Sequence, residues 1–185
     1  MGAIHPATPV KLFVGVLSSI PQVLPEVEVR LSGSFGAIDL RSSIYAFEST
    51  HYYDEEMGSP IRRCFFGFSE LILPGRIAWA KLRTNELELE FADKGLGVRR
   101  PVNLDPGYLE LSKVVLASTK NFYHRLYLAD GIYGEATLHY EAGAWRSFPW
   151  TFPDFRSGLY DGYFLELRAL YRNTLKRLQV ERGSG

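Results

Sequence analysis

The sequence has only one cysteine, Cys64, among its 185 residues. A single cysteine cannot form a disulfide within the chain or build a cysteine metal cluster. Cys64 stands between Arg63 and Phe65 in an apolar run. Because disulfides are rare in reducing compartments, this cysteine usage predicts a cytoplasmic location.

The sequence has no surplus of charge of either sign, since its 21 Lys and Arg residues match its 21 Asp and Glu residues. This balance excludes the broad positive field that non-specific nucleic-acid binders use. We therefore do not expect nucleic acid as a partner, although a local basic patch is compatible with the balance.

A long hydrophobic run is also missing. The apolar run from Leu12 to Leu17 is far shorter than the roughly 20 residues of a membrane-spanning helix, and no basic region precedes it. We expect no membrane contact. The length suits one domain, so we expect a flexible start over residues 1–8, one domain over 9–180 and a flexible tail over 181–185.

The common motifs of nucleotide-binding proteins, zinc proteases and hydrolases are absent. The sequence contains no G-x-x-x-x-G-K-[ST], G-x-G-x-x-G, H-E-x-x-H or G-x-S-x-G. These absences exclude the strong motif-based assignments to an enzyme class. A nucleotide could still bind, but its phosphates would need a cradle other than a P-loop.

Hydrophobic periodicity predicts an alternation of strands and helices. Residues 9–19, 42–50 and 61–73 have patterns typical of strands, and residues 22–34 and 74–92 have helical spacing. The apolar face of the second helix is Ile77, Ala80, Thr84, Leu87 and Phe91. On the same helix Lys81, Asn85 and Glu88 occupy neighbouring turns, a pattern typical of a solvated face.

The element order strand, helix, strand, strand, helix, strand predicts an α+β fold. We expect a ferredoxin-like split βαβ sheet with helices on one face, extended by a C-terminal hairpin and helix. After a short strand at residues 102–105, Asp105 could cap a helix over residues 108–118 or make a tight turn into another strand. An amphipathic helix over residues 161–178, with Asp161 at its N-cap, closes the chain.

The clearest hairpin lies at residues 124–140, with Asp130 and Gly131 at its tip. A two-residue turn would mix polar and apolar residues on both faces. A three-residue loop that ends at Gly131 separates the faces, so we prefer that register. Its pairs are Leu128 with Ile132, Tyr127 with Tyr133 and Arg125 with Glu135.

Cationic side chains gather in and before this hairpin. In the preferred register Arg125, Tyr127 and Glu135 share one face, with Lys120 and His124 just upstream. Guanidinium and ammonium donors beside hydroxyls suit a phosphate or a carboxylate. The alternative is an exposed sheet face that carries an ordinary Arg125–Glu135 cross-strand pair.

The segment WTFPDFR, residues 150–156, places an aromatic ring and a guanidinium around Pro153. Trp150 and Arg156 could therefore clamp a planar base. Ordinary packing explains these aromatic residues equally well.

Catalysis would need further groups. His124 has the ordinary chemistry of a general acid or base, but a structural histidine is the commoner role, since no nucleophile can be paired with it. Glu55, Asp105 and Asp154 come from separate loops, and such carboxylates would suit Mg²⁺ with a bound phosphate. A solvated acidic loop and two turn-forming aspartates are the alternative.

Several separated segments carry a resemblance to a known family. From about Pro9 to Leu178 the chain resembles the prokaryotic family called domain of unknown function 4416. The resemblance implies a single-domain cytoplasmic protein with no assigned activity, and it supplies no catalytic residues. Phe152 and Phe155 stand where the family pattern W-T-Y-P-D-Y has tyrosines. The segments are THYYDEEMG, VNLDPGYL, TKNFYHRLYL, GIYGEATL and WTFPDFR.

Two functions follow from these patterns. In the first, the domain binds a small anionic ligand that is phosphorylated or nucleotide-like, with Lys120, His124 and Arg125 as anion contacts. Trp150 and Arg156 would clamp this ligand. If catalysis occurs, a divalent ion would be held by Glu55, Asp105 or Asp154.

In the second, the domain is a noncatalytic interaction module, with a homodimer as one form. Its exposed sheet edge and the aromatic segment FPWTFPDF, residues 148–155, would dock the partner. A deep polar cleft would favour the first function, and a flat aromatic patch would favour the second.

Overall fold

The computed structural model describes residues 2–50 and 52–183. Four residues lie outside these ranges. They are residue 1 of the predicted flexible start, residue 51 within one of the family-like segments, and residues 184 and 185 of the predicted tail. Residues 181–183 of that tail continue the last helix. The described strands are β1 (Val10–Ser18), β2 (Ile38–Arg41), β3 (Tyr45–Ala46), β4 (Arg62–Ile72), β5 (Asn103–Leu109), β6 (Lys113–Ser118), β7 (Leu126–Ala129), β8 (Ile132–Glu141) and β9 (Ala144–Ser147). The α-helices are α1 (Leu24–Phe35), α2 (Asp54–Met57), α3 (Ile77–Ala92), α4 (Pro153–Arg156) and α5 (Asp161–Gly183).

The nine strands form one antiparallel sheet in a mixed α/β structure. Its main order is β2-β4-β1-β5-β6-β8-β7, while β3 also pairs with β4 and β9 also pairs with β8. Each outer position of the sheet is therefore shared by two short strands. Within the described chain, no helix is long and apolar enough to cross a membrane.

Apolar side chains cover both faces of the central strands. Along β1, Leu12, Val14 and Val16 pack with α1 and α3 on one face, while Phe13 packs with α5 on the other. This alternation follows from the two-residue period of a strand. The helices α1 and α3 share one face, as predicted for the helices between the strands, while the C-terminal helix α5, for which no face was predicted, covers the second apolar face.

Two strand assignments differ from the predictions. The segment 42–50 contributes only the two-residue strand β3, and β2 forms earlier in the chain. The sequence leaves open whether a helix or a strand follows Asp105. The structure has strands there, since residues 103–109 and 113–118 form β5 and β6. Both faces of these strands are largely buried, which favours β-branched and aliphatic residues.

The β7–β8 hairpin combines the two geometries considered for it. Ala129 pairs with Ile132 across a two-residue turn whose φ values are 52° at Asp130 and 78° at Gly131. The predicted pairing of Leu128 with Ile132 is therefore wrong. An irregularity at Leu128 then restores the predicted pairing of Tyr127 with Tyr133.

The ladder between β5 and β6 is short, so the two strands separate toward one end of the sheet. The two strands pair only from Gly107 to Leu109 on the β5 side. The preceding Pro106 pairs with Val14 of β1 but has no partner on β6, and it has no N–H to donate to a ladder. Leu104 instead bonds to α3, since Lys81 Nζ donates to Leu104 O at 2.8 Å and Leu104 N donates to Glu88 Oε1 at 2.8 Å.

Candidate functional site

A polar cleft of about 750 Å³ lies where β5 and β6 cease to pair. This volume is typical of small-molecule sites. Serine and threonine hydroxyls line it between the charged groups. Its charged lining residues are Arg63, Lys81, Arg100, Lys120, Arg125, Glu56, Asp105, Glu135 and Asp154, and its aromatic ones are Phe47, Tyr52, Tyr53, Phe122, Phe152 and Phe155.

Arg63, Asp105 and Asp154 form what we call the floor of the cleft. Arg63 Nη1 lies 3.7 Å from Asp105 Oδ2, and Arg63 Nη2 lies 3.4 Å from Asp154 Oδ2. Arg63 is only 6% exposed, and its Nε has no hydrogen-bond partner among the described residues. Since the two contacts with the aspartates are longer than a charge-assisted hydrogen bond, neither terminal nitrogen is held by a short bond to a carboxylate.

Aromatic rings and a glycine position the Arg63 guanidinium. Its Cζ lies 5.1 Å from the ring centre of Phe47 and 5.8 Å from that of Phe155. On β1, Gly15 leaves room for the head group, because a Cβ at this position would lie 3.0 Å from Arg63 Nη1. A side chain at position 15 would therefore press on the guanidinium and on the Phe65 ring.

Asp154 reaches the floor from α4, which other contacts hold against the sheet. Tyr160 Oη donates to Asp154 Oδ2 at 3.2 Å, and burial raises the pKa of the Tyr160 hydroxyl well above its ordinary value. Thr151 Oγ1 donates to Thr137 O of β8 at 2.5 Å. Arg156 Nη2 donates to the carbonyl oxygens of Pro149 and Thr151, both at 2.8 Å.

A hydrogen-bonded network connects the floor with α3. Arg100 Nη2 donates to Glu88 Oε2 at 2.7 Å and also to Asn103 Oδ1. Asn103 Nδ2 donates in turn to Asp105 Oδ2 at 2.6 Å. Burial raises the pKa of the Glu88 carboxyl, while the charges of Lys81 and Arg100 act in the opposite direction.

Tyr52, Lys120 and Phe122 form what we call the mouth of the cleft, and all three are exposed. Lys120 Nζ donates to Tyr52 Oη at 3.1 Å and lies 4.9 Å from the centre of that ring. In the described parts of the chain, no carboxylate lies within 4.0 Å of Lys120 Nζ. The mouth therefore carries an unpaired positive charge.

Arg125 lies behind the mouth and is held by three hydrogen bonds. Its Nε donates to Glu135 Oε2 at 2.6 Å, and its Nη1 donates to Ser118 Oγ at 2.8 Å and to Lys120 O at 2.9 Å. Glu135 is buried and also lies 3.0 Å from His124 Nε2. The predicted Arg125–Glu135 contact is thus present and has a fixed geometry.

The structure brings together only part of the predicted ligand-binding set. Lys120, Arg125 and Glu135 line the cleft, and so do the two aspartates that were proposed as metal ligands. Four other predicted residues do not line it: His124, Tyr127, Trp150 and Arg156.

Each of these four residues has a structural contact instead. His124 stacks on Trp150 at 5.6 Å between ring centres, and Trp150 Nε1 donates to Ala136 O at 2.9 Å. The Tyr127 ring packs against Tyr133, while Arg156 holds the chain before α4. These contacts hold the segments around the cleft, and none of the four side chains lines the cleft.

The three predicted metal ligands do not gather. Glu55 is not a lining residue, and Arg63 lies between Asp105 and Asp154. Among residues 2–50 and 52–183, no group of three or more His, Cys, Asp or Glu side chains could hold a metal ion. The cation between the two carboxylates of the floor is therefore the Arg63 guanidinium.

Sequence reasoning missed Arg63 and Arg100 and misplaced Lys81. Lys81 is only 5% exposed, so the prediction of a solvated face for it is wrong. Lys81 lies four residues after Ile77 and three before Thr84, so helical spacing places it on the predicted apolar face. This spacing could have predicted that Lys81 is buried. Arg63 had no comparable signal, since the adjacent Arg62 interrupts the same apolar strand.

Fold and cleft together define a mixed α/β protein with a polar, ligand-sized cleft at the end of an antiparallel sheet. Residues 8–171 match the family described as Domain of unknown function (DUF4416). The chain belongs to this family, which confirms the resemblance found in its segments. No curated protein and no solved structure matches the chain.

Proposed function

We propose that the cleft binds a small anionic ligand of the phosphorylated or nucleotide-like class, and that Lys120 and Arg125 contact its anionic group. One observation supports this most. Each of the other four lining cations has a carboxylate within 4.0 Å, whereas Lys120 has none in the described chain. The pairs are Arg63–Asp154, Lys81–Glu88, Arg100–Glu88 and Arg125–Glu135.

The position of the unpaired charge also favours an anion. Five cationic side chains and four carboxylates line the cleft, and Glu88 pairs with Lys81 and Arg100 from behind the lining. The positive charge without a nearby carboxylate in the described chain is therefore that of Lys120, at the mouth. A concave, partly dehydrated surface focuses the field of such a charge and attracts anions.

Arg125 supports the same site because its side chain is already ordered. Its side chain is 8% exposed, and its hydrogen bonds use Nε and Nη1. The second terminal nitrogen, Nη2, makes no hydrogen bond in the described protein. A preorganised donor costs little entropy when it binds a phosphate or carboxylate.

Exposed rings beside these cations favour a ligand with a planar part. Phe122 and Phe152 are 58% and 40% exposed, and their ring centres lie 5.7 and 6.0 Å from Arg125 Cζ. Tyr52 stands at the mouth on the Lys120 side. A base that stacks on such rings gains about 1–3 kcal/mol, which supports a nucleotide-like ligand.

We also propose that β1, β2, β4 and β5 form the ferredoxin-like split βαβ unit. The strand order β2-β4-β1-β5 supports this, because α1 follows β1 in the chain and α3 follows β4. The cleft then lies at the junction between this unit and the hairpin extension.

The proposed function can be tested by thermal unfolding with phosphate, pyrophosphate, ribose 5-phosphate and nucleoside phosphates, with and without Mg²⁺. A ligand at about a hundred times its dissociation constant stabilises the protein by about 2.7 kcal/mol. We expect Lys120→Met to lose most of this stabilisation. Lys176→Met, an exposed lysine on α5, should retain it. If no compound shifts a cooperative unfolding transition, the proposal is wrong.

Homodimerisation through β7 is a second candidate. This strand lies at the sheet edge, and its Leu126 and Tyr127 are 75% and 62% exposed. Unprotected apolar edge strands tend to pair with another chain. Light scattering should then show a mass that rises with concentration, and Leu126→Lys should abolish the rise.

A further inference from the structure

The floor of the cleft alternates hydrogen-bond acceptors with donors. Arg63 lies between Asp105 and Asp154, and its contacts of 3.7 and 3.4 Å exceed the about 2.7–2.9 Å of a charge-assisted hydrogen bond. Its Nε is fully buried, so the terminal nitrogens Nη1 and Nη2, which make these two long contacts, are the donors that can face the cleft. The guanidinium can therefore donate to a ligand without losing a strong bond.

Both carboxylates also keep an acceptor oxygen free. Asp154 Oδ2 accepts from Tyr160 and Asp105 Oδ2 accepts from Asn103. The Oδ1 atoms accept no hydrogen bond from the described protein, and the nearest cation to Asp105 Oδ1 is Lys81 Nζ at 3.7 Å. The floor thus offers the pattern acceptor, donor, acceptor.

This pattern is unsuited to the anionic end of a ligand. A phosphate against Arg63 would approach two carboxylates, and like charges at such distances repel strongly when they are poorly solvated. At the mouth, in contrast, Lys120 has no carboxylate partner. The anionic group therefore belongs at the mouth, and an uncharged polar group belongs at the floor.

The surroundings of the floor favour a flat polar group. Phe47 and Phe155 lie close to Arg63, and Tyr53 lines the same cleft. Aromatic walls with a few fixed polar groups are typical of sites for heterocycles. An amino-bearing nitrogen heterocycle matches the pattern, since its N–H groups donate to carboxylates and its ring nitrogen or carbonyl accepts from a guanidinium.

We infer that the ligand is a nucleoside phosphate that binds with its amino-bearing base at the floor and its phosphate at the mouth. The amino group of the base donates to Asp105 or Asp154, and Arg63 donates to the neighbouring ring nitrogen or carbonyl. This inference rests on the proposed function, because it requires the anionic group to bind near Lys120.

Isothermal titration calorimetry can test the orientation with pairs of compounds that differ by one amino group. The pairs are CMP with pyrimidin-2-one riboside monophosphate, AMP with purine riboside monophosphate, and GMP with IMP, and ribose 5-phosphate lacks the base altogether. We expect the tightest amino-bearing nucleotide to bind at least about tenfold more tightly than its partner and than ribose 5-phosphate, because a site built to hydrogen-bond a group rejects analogues without it.

The variant Asp154→Asn tests the position of the base at the floor and leaves the proposed anion contacts, Lys120 and Arg125, in place. It retains the shape of the side chain and should reduce the affinity for the preferred nucleotide by at least about tenfold, while ribose 5-phosphate binds as before. Asp105→Asn, at a more exposed carboxylate, is the second variant if Asp154→Asn does not fold. Asp93→Asn, an exposed position after α3, is the matched control and should change neither affinity.

Three other outcomes would contradict the inferred orientation of the nucleotide. If ribose 5-phosphate binds as tightly as every nucleotide, the orientation is wrong and the anion site remains. The orientation is equally wrong if both aspartate variants keep the full nucleotide affinity. If neither ribose 5-phosphate nor any nucleotide binds, the proposed function fails and the inference fails with it.

Discussion

Arg63 Nη2 lies 3.4 Å from Asp154 Oδ2, and both side chains are less than a tenth exposed. The two residues are 91 positions apart, 154 − 63, one in strand β4 and one in the short helix α4. The contact connects the aromatic segment around α4 to the sheet. The pair therefore connects α4 to the sheet and supplies two of the three residues of the floor of the cleft.

Arg63→Met should destabilise the protein by about 3 kcal/mol, because it leaves buried Asp154 without its cation and removes one of the two cations near half-buried Asp105. The control is Arg62→Met, an exposed arginine one position earlier on β4, which should change stability by less than about 0.5 kcal/mol. Urea unfolding of both variants measures the difference. Equal stabilities would show that the guanidinium contributes nothing to the fold.

Two glycine-to-alanine changes should act in opposite directions. At Gly107 a Cβ would lie 2.5 Å from Phe13 Cζ and 2.6 Å from Val115 O, so Gly107→Ala should cost about 3 kcal/mol or more. At Gly33, inside α1, a Cβ meets nothing within 4 Å. Gly33→Ala should therefore stabilise the protein by about 0.5–1 kcal/mol. A thermal midpoint that falls in both variants would contradict the second expectation.

The parts of the fold that could be predicted depend on local patterns. The spacing of Ile77, Ala80 and Leu87 predicts the buried face of α3, and all three are buried. The separation of polar and apolar residues predicts the pairing of Tyr127 with Tyr133. In both cases the periodicity of one element decides which side chains meet the core.

The floor of the cleft could not be predicted in the same way. Arg63, Asp105 and Asp154 lie far apart in sequence and meet only because β5 and β6 stop pairing at Gly107 and α4 folds back onto the sheet. No local pattern encodes that divergence. The adjacent arginines at positions 62 and 63 show the difficulty, since strand alternation makes one of them buried and the other exposed without indicating which.

Cys64 should be almost unreactive in the folded protein. Its side chain is buried, and burial raises the pKa of its thiol to about 12, so little thiolate is present at pH 8. We expect the thiol to react with Ellman's reagent at least about 100-fold more slowly in buffer than in urea. Similar rates in both conditions would show that the β4 region opens readily or that the thiol is accessible.

Glu88 should make the stability of the protein depend on pH. Burial raises the pKa of this carboxyl above its ordinary value of 4.5, so the folded state binds its proton more tightly than the unfolded state does. Stability contributed by the protonated group is then lost as pH rises from about 4.5 through the folded pKa. Glu88→Gln cannot titrate and lacks this loss.

The measurement is the unfolding free energy of the natural protein and of Glu88→Gln in urea, at several values between pH 4 and pH 7. Other groups titrate in both proteins, so the difference between the two isolates Glu88. We expect the natural protein to lose stability relative to the variant as pH rises, with a slope of at most about 1.4 kcal/mol per pH unit. A difference that stays constant, or that changes in favour of the natural protein, would mean that Lys81 and Arg100 outweigh the cost of burying the carboxylate.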